Sequence, residues 1–539
     1  MSDEVSTELP VTVSFPSPGV VVGLLLIMLL AATLRAQHVS DPLWLDELHT
    51  AWVVEDGIGD VAGRAAAGNQ GPVFYYAQWL VGRMGENSVF TYRCLSLVAG
   101  LLLVPIVFLV IREACASSWA GWMAAVMVSV DRFSVIFSCE ARPYAWVQLV
   151  AVIHLYLGWQ YLLRAKKVTC RLPEWLRVSW VASGSLLFYL HYTAALILVA
   201  EIVAWLVLLT TGFRAGSSRY AVRKLDLLML VLVCSLALPQ LLLISQRREA
   251  WAEFVPVPGV LGLLTLLPLL AYVVLPFMVR LLVTWQGGNP ARNSGDVAWW
   301  MLLACGLLVP VLLAWSSTVS GVAALYWPRY LIASSTFAIV IGASLVSSLP
   351  GLRRRWTTTL VLLATVLLTE SAISFSGVMP AKMAWPGFLN RSGVLPREED
   401  WQALVSHVNE RDPRGKWPVF LVADLIEDRQ LGNSQPRSLG RSIGLEEYCL
   451  FPVQGCYRLR DSSQPIVPLA SVPPSLPAAH LQSVLEARGG WFIVRGSSAR
   501  IMAWQRVVED VSFRTGPGQA VQLQWFGRLA LIRLQQLND

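Results

Sequence analysis

Charge is what this sequence has least of. Only 14% of its 539 residues are Asp, Glu, Lys or Arg, against roughly 25% in an ordinary soluble chain. Conversely, 55% of the residues are hydrophobic and the mean hydropathy is +0.55. That excess excludes a single water-soluble core and places the chain among polytopic membrane proteins, with the lipid bilayer as a partner. Lysine is scarce too: only five of the 42 basic residues are lysine. The arginine bias is a compositional sign of a GC-rich bacterial genome.

Other signatures are missing. No Cys-x-x-Cys or His-x-x-x-His pattern occurs, so no zinc site is legible. No Gly-rich phosphate loop or dinucleotide fingerprint occurs, which argues against a nucleotide-sugar substrate. The net charge of +7 sits mostly in short loops between apolar runs, the pattern of a membrane protein's cytoplasmic side, so nucleic acid is not an expected partner. The N-terminal "MSDEVSTELP" lacks the positive start of a cleaved signal peptide. There is no internal repeat. Of the eight cysteines, only Cys449 and Cys456 fall together outside the apolar region. A disulfide between them and a pair of free thiols both stay open.

What is present is a series of apolar runs, about eleven, each near the roughly 20 residues needed to span a bilayer. They lie at about 18–36, 92–111, 116–131, 144–163, 177–190, 192–213, 225–245, 258–280, 297–316, 329–349 and 356–376. The third and fifth are short. With the N-terminus (1–17) inside, the inside loops are "REACASS", "RAKKVTCRLPEWLR", "FRAGSSRYAVRK", "RLLVTWQGGNPARN" and "LRRRW", and four of these five carry two or more Lys or Arg. That satisfies the positive-inside rule and puts the C-terminus outside. Residues 377–539 change character: Pro, Gly and charge rise, and strand-like stretches such as "PVFLVAD" and "GGWFIVRG" alternate with the helical spacing of "EEDWQALVSHVNER". The expectation is an α-helical membrane domain over 18–376, with a first outer loop at about 37–91, and a small extracytoplasmic α/β domain over 377–539.

This topology gathers the polar residues. "DPLWLDELHT" (41–50), "SCEARPY" (138–144), "LHYT" (190–193), "SQRREAWAEF" (245–254) and "LYWPRY" (325–330) all fall on the outer face. Carboxylates, arginines, histidines and tyrosines converging at one interface fit an active site.

An Asp-Glu pair after the first span, an "EARPY" segment, an "HYT" turn and an "RY" opening a late span resemble the GT-C membrane glycosyltransferases. The similarity is to the protein O-mannosyltransferase and aminoarabinose-transferase group and their bacterial relatives, over roughly residues 18–376. One departure is clear: many relatives have His-Pro-Pro before a Tyr in the first loop, where this chain has "NQGPVFYY" (69–76). The resemblance implies an inverting enzyme that moves a hexosyl or pentosyl group from a polyprenyl-phosphate-linked donor to an acceptor hydroxyl on a protein, glycolipid or polysaccharide. It makes Asp46 the general base and Arg329 the ligand of the donor phosphate.

The chemistry asks for such residues. A sugar hydroxyl is a poor nucleophile unless a carboxylate accepts its proton. Glu47 is the expected partner of Asp46, tuning it by like charge or binding the acceptor. The alternative is that Asp46 caps a helix running from Glu47. Arg329 presents paired N–H donors suited to phosphate. Arg247, Arg248 and Arg142 are further candidates for the same phosphate, although Arg142 equally suits an ion pair with Glu140. Substrate contacts are expected from His49, Glu140, Tyr144, His191, Tyr192, Tyr75 and Tyr330. No obligatory cofactor or metal is expected, and His49 beside the carboxylates leaves a divalent ion conceivable without supporting one. The other function class is a multi-pass transporter or lipid flippase, which would use His154, Glu201 and Glu370 inside the spans. The expected location is a bacterial inner membrane with the site facing the periplasm. An endoplasmic-reticulum enzyme is the alternative, on which the lone sequon Asn390-Arg391-Ser392 is uninformative.

Overall fold

A computed structural model describes residues 17–36, 39–85, 88–165, 172–214, 224–246, 257–259, 267–286, 296–375, 399–425, 445–460, 465–471, 476, 478–515 and 519–536. Arg247, Arg248 and the sequon lie outside these residues, as does the side chain of Glu370.

Each apolar run contains helix among the described residues. The first is α1 (Pro18–Ala36). The outer loop that follows folds into three short helices, α2 (Leu45–Glu55), α3 (Ile58–Ala67) and α4 (Val73–Met84). Then come α5 (Val89–Ala114), α6 (Ser118–Val130), α7 (Arg132–Ser138), α8 (Tyr144–Ala165), α9 (Glu174–Leu190) and α10 (Ala195–Arg214). The membrane domain continues with α11 (Lys224–Ser235), α12 (Leu238–Gln246), α13 (Leu267–Trp285), α14 (Val297–Val319), α15 (Ile332–Ser347) and α16 (Leu352–Phe375). Among the described residues, five helices are long and apolar enough to cross a bilayer, or six if the bent pair α6 and α7 is one span. The molecule is an integral membrane protein.

Two runs depart from the simple expectation. The third does not end at 131 but turns by 57° into α7. Asp131 stands extended there and its carboxylate caps α7, accepting from the N–H and hydroxyl of Ser134, both at 2.8 Å. Arg35, buried at the end of α1, clasps both halves through the Ser129 and Ser134 carbonyls and the Ser138 hydroxyl. The seventh run is likewise two helices, α11 and α12, with a turn between them.

The C-terminal part holds α17 (Trp401–Arg411), α18 (Leu445–Gln454), α19 (Ala478–Ala487) and α20 (Ser498–Thr515). Five strands, β1 (Val419–Val422), β2 (Ile466–Pro468), β3 (Gly489–Arg495), β4 (Gln519–Phe526) and β5 (Leu529–Gln536), form one sheet in the order β2-β1-β3-β5-β4. β1 runs parallel to β2 and β3, while β5 is antiparallel to β3 and β4. Gly527, at φ +72°, makes the tight turn between β4 and β5. The strand β1 shows why the sheet sits as it does. Phe420 and Val422 face a core shared with Val508 and Trp504 of α20, whereas Val419 and Leu421 join a core continuous with the membrane helices. The expected small α/β domain is present, and its inner face packs onto the membrane domain.

No disulfide joins Cys449, within α18, to Cys456, just beyond it.

Candidate active site

The site is built around α2. Trp44 precedes it in extended conformation, and two acidic residues occupy its first turn, where the helix dipole favours negative charge. The cap is Trp44 rather than Asp46, so the capping alternative for Asp46 does not hold. Glu47, three residues on, reaches back to accept the Trp44 N–H at 3.3 Å.

Glu47 is fully buried and fully engaged. Arg93, at the start of α5, grips it with two parallel bonds, Nε to Oε1 at 2.7 Å and Nη2 to Oε2 at 2.6 Å. The Ala141 N–H donates to Oε1 at 2.8 Å. With two acceptances on each oxygen, this carboxylate is engaged by protein donors rather than open to an acceptor. Glu47 is the anchor that ties α2 to α5 and to the "EARPY" segment. Arg93 gives its other donors to the carbonyls of Val39, Asp41 and Pro42. Sequence inspection missed Arg93, since an arginine opening an apolar run carries no motif.

The segment 140–143 is fixed on all sides. Thr50 donates to the Ala141 carbonyl at 2.7 Å, and Ser96 to the Arg142 carbonyl at 2.8 Å. Arg142, thus placed, donates through Nη1 to the Asp46 carbonyl (3.1 Å), the Tyr75 hydroxyl (3.1 Å) and Nδ1 of His49 (3.3 Å). These three bonds tie the "EARPY" segment to α2 and α4. Glu140 itself is buried, and its carbonyl accepts the Arg142 N–H at 2.7 Å.

Asp46 leaves about a quarter of its side chain exposed (24%), and its Oδ2 accepts from Nη1 of Arg329 at 2.5 Å. Arg329 lies in the one-turn 3-10 helix Pro328–Tyr330 before α15. Its guanidinium stacks over Tyr330, 5.2 Å from the ring centroid. Tyr330 packs on His191 (5.5 Å), His191 on Tyr144 (5.4 Å), and Tyr144 lies beneath Arg142 (5.9 Å). Asp46, Arg142, Tyr144, His191, Arg329 and Tyr330 therefore close a ring drawn from four separate segments of the chain. Tyr192 is half-buried and packs on Phe188 instead.

The electrostatics set protonation states. Burial, then the nearby Arg142, pushes His49 down to about 3, and burial with Arg142 and Arg329 does the same to His191. Both imidazoles are neutral near pH 7. The Thr193 N–H donates to Nδ1 of His191 at 3.3 Å, so the ring proton sits on Nε2. That Nε2 has no hydrogen-bond partner among the described residues, and neither does the Tyr144 hydroxyl. Arg329 and Arg142 are held above the ordinary arginine value by neighbouring tyrosines and Asp46, against the effect of burial. Burial raises the Tyr75 phenol to about 12.

The C-terminal domain contributes as well, which no motif announced. Tyr448 of α18 meets the His49 ring edge-on at 5.2 Å and stacks on Trp52 at 4.7 Å. Gly68 backs the other side: a Cβ there would lie 2.3 Å from Nε2 of His49.

Among the described residues no group of three or more His, Cys, Asp or Glu side chains gathers as metal ligands. Away from the site, His154 and Glu201 bind each other, Nε2 to Oε2 at 2.8 Å, with Ser183 and Trp180 completing the network.

No protein-family model and no curated protein sequence matches the chain. Solved structures do. ArnT from Cupriavidus metallidurans bound to undecaprenyl phosphate matches with a TM-score of 0.52 at 12% identity, covering 96% of this chain and 98% of that one. The same protein in its apo state gives 0.53 at 12% identity over the same shares. An Archaeoglobus fulgidus oligosaccharyltransferase in complex with zinc and sulfate is more distant, at a TM-score of 0.44 and 13% identity, covering 88% of this chain and 68% of that one. The chain thus shares the fold of ArnT over nearly the whole length of both proteins, a fold of the kind that the order of the sequence motifs implied.

Proposed function

We propose that this protein is a membrane glycosyltransferase that moves a sugar from a polyprenyl-phosphate-linked donor to an acceptor hydroxyl. The observation that carries the reading is the Asp46–Arg329 pair, which closes a ring of arginine, histidine and tyrosine side chains. It stands in a fold shared with ArnT, whose structure holds undecaprenyl phosphate.

Arg329 donates to Asp46 through Nη1. A donor phosphate offers that arginine a competing anion, and Arg142 stands across Tyr144 to share the charge. His191 Nε2–H and the Tyr144 hydroxyl are buried donors that a phosphate oxygen satisfies. Once Arg329 turns to the phosphate, Asp46 loses its stabilising cation and becomes a stronger base. The acceptor hydroxyl then attacks C1 as Asp46 takes its proton. The new C1–O bond forms as the C1–O bond to phosphate breaks, and the electron pair leaves with the lipid monophosphate. A single displacement inverts the anomeric centre. A positioned base of this kind supplies about 10²–10⁴ in rate. Positive charge from the arginines serves the leaving group, so the proposal needs no divalent metal. The site and the C-terminal domain face the periplasm of a bacterial inner membrane.

Mass spectrometry of lipids that co-purify with the protein tests this reading. A polyprenyl monophosphate, free or sugar-linked, is the expected finding. Its absence from protein that remains folded, together with no binding of added undecaprenyl phosphate, contradicts the proposal.

A further inference from the structure

The sequence of the C-terminal domain names no role for it, yet the segment that carries Asp46 is bonded to it. The Leu45 N–H donates to Oε2 of Glu399 at 3.1 Å, and the Leu43 N–H donates to the Tyr457 hydroxyl at 2.8 Å. These residues stand one and three positions before Asp46. The first N–H groups of a helix have no partner within it. Here the partner for the first N–H of α2 comes from a separate domain, 354 residues away in sequence.

The partners are themselves rigid. Oε1 of Glu399 accepts from Nε of Arg495 at 2.8 Å, and Oε2 also accepts from Nε1 of Trp401 at 3.1 Å. The carboxylate is thereby fixed to β3 and α17 before it meets α2. A second contact lies one turn along. Tyr448 covers Trp52 and His49, and its neighbour Glu447 bonds Arg64 at 3.1 Å, while Arg64 donates to the Trp52 carbonyl at 2.6 Å. His49 is wedged between Tyr448 and the Gly68 backbone, and it holds Arg142 through Nδ1. Both the carboxylate of Asp46 and the guanidinium of Arg142 thus take their positions from a frame that the outer domain completes.

We propose that the C-terminal domain is part of the catalytic centre, with Glu399, Tyr457 and Tyr448 as positioning residues that hold α2 so that Asp46 meets the acceptor. They touch α2 and not the substrate. The inference rests on Asp46 being the base. A displacement of about 1 Å in a reacting group costs as much as 10²-fold in rate, so loosening this frame acts on turnover and leaves the donor phosphate's ligands in place.

The test uses the full chain in detergent, with Tyr457→Phe, Glu399→Ala and Glu399→Gln. Three quantities are read: amide hydrogen exchange over residues 43–48, binding of undecaprenyl phosphate, and turnover of the lipid-linked donor that co-purifies. Tyr457→Phe keeps its ring and loses only the acceptor of the Leu43 N–H. It is expected to speed exchange over 43–48 about fivefold and to cut kcat about tenfold, with undecaprenyl phosphate binding within about twofold of wild type, the size of one lost hydrogen bond. Glu399→Ala acts in the same direction and more strongly. Glu399→Gln, which keeps an oxygen for the Leu45 N–H, recovers part of the loss. Wild-type kcat in Tyr457→Phe and Glu399→Ala despite faster exchange overturns the inference, as does a loss confined to lipid binding. Full activity in Asp46→Asn instead overturns the proposed function on which it rests.

Discussion

Arg329 and Asp46, 283 residues apart in sequence, form an ion pair of 2.5 Å in the centre of the site. The pair links the residue proposed to meet the phosphate with the residue proposed to accept the proton. Neutralising Asp46 therefore releases Arg329. Asp46→Asn is expected to bind undecaprenyl phosphate as tightly as wild type or a few-fold more tightly, and Arg329→Ala to bind it at least about tenfold more weakly, by loss of a charge-assisted contact. Native mass spectrometry or thermophoresis with the purified protein reads both. Weaker binding in Asp46→Asn contradicts competition between the carboxylate and the phosphate.

His191 separates a structural duty from a binding one. Its Nδ1 accepts from Thr193 and its Nε2–H stands free among the described residues. Asparagine places an acceptor where Nδ1 is and nothing at Nε2, whereas glutamine reaches the Nε2 position. His191→Asn is expected to raise the donor KM about tenfold while the protein stays folded, and His191→Gln to raise it less. Equal effects from the two variants on KM contradict a donor role for Nε2.

Acid should weaken the folded state through the same two rings. His49 and His191 lie near 3 when folded and return to 6.5 when unfolded. The unfolded chain therefore binds more protons below 6.5, and the stability these groups contribute is present above that value and lost as pH falls towards 3. Each contributes a slope of up to about 1.4 kcal/mol per pH unit in that window. The groups facing them are fixed in charge on the arginine side: Arg142 for both and Arg329 for His191, with Asp46 opposite His49. Thermal unfolding in detergent at pH 7.5 and 5.5 should show a clear drop for wild type and a shallower one for His191→Asn. An unchanged slope contradicts a neutral, buried His191.

The buried Glu47–Arg93 pair is predicted to be structural. Removing one member of such a pair leaves an uncompensated charge and costs about 3–5 kcal/mol. Arg93→Met should lower the melting temperature sharply and lose activity in proportion to folded protein. A folded Arg93→Met with normal stability contradicts the anchoring role.

Much of this was legible in the sequence because the bilayer imposes strong rules. Apolar runs marked every described membrane helix, and the arginines of the inner loops gave the sidedness that brought Asp46, Arg142, His191 and Arg329 together. Each of these four carries a polar signal beside an apolar run. The rest depended on pairings that sequence does not display. The grip of Arg93 on Glu47 was hidden, because adjacency in sequence does not show that successive helical residues point in different directions, one towards Arg329 and one into Arg93. The bend at Asp131 was legible only as an end: the charged Asp131-Arg132 pair closes the third apolar run, and the seven residues that continue as α7 are too few to read as a helix. Glu399, Tyr448 and Tyr457 lie some 350–410 residues beyond α2, and no motif connects them to it.

The most direct measurement is transfer by Asp46→Asn in a cell-free assay, using inserted protein whose lipid binding is intact. Loss of the base predicts a fall of about 10²–10⁴ in turnover with undecaprenyl phosphate still bound. Transfer at the wild-type rate by that variant would contradict Asp46 as the base and, with it, the account of this site.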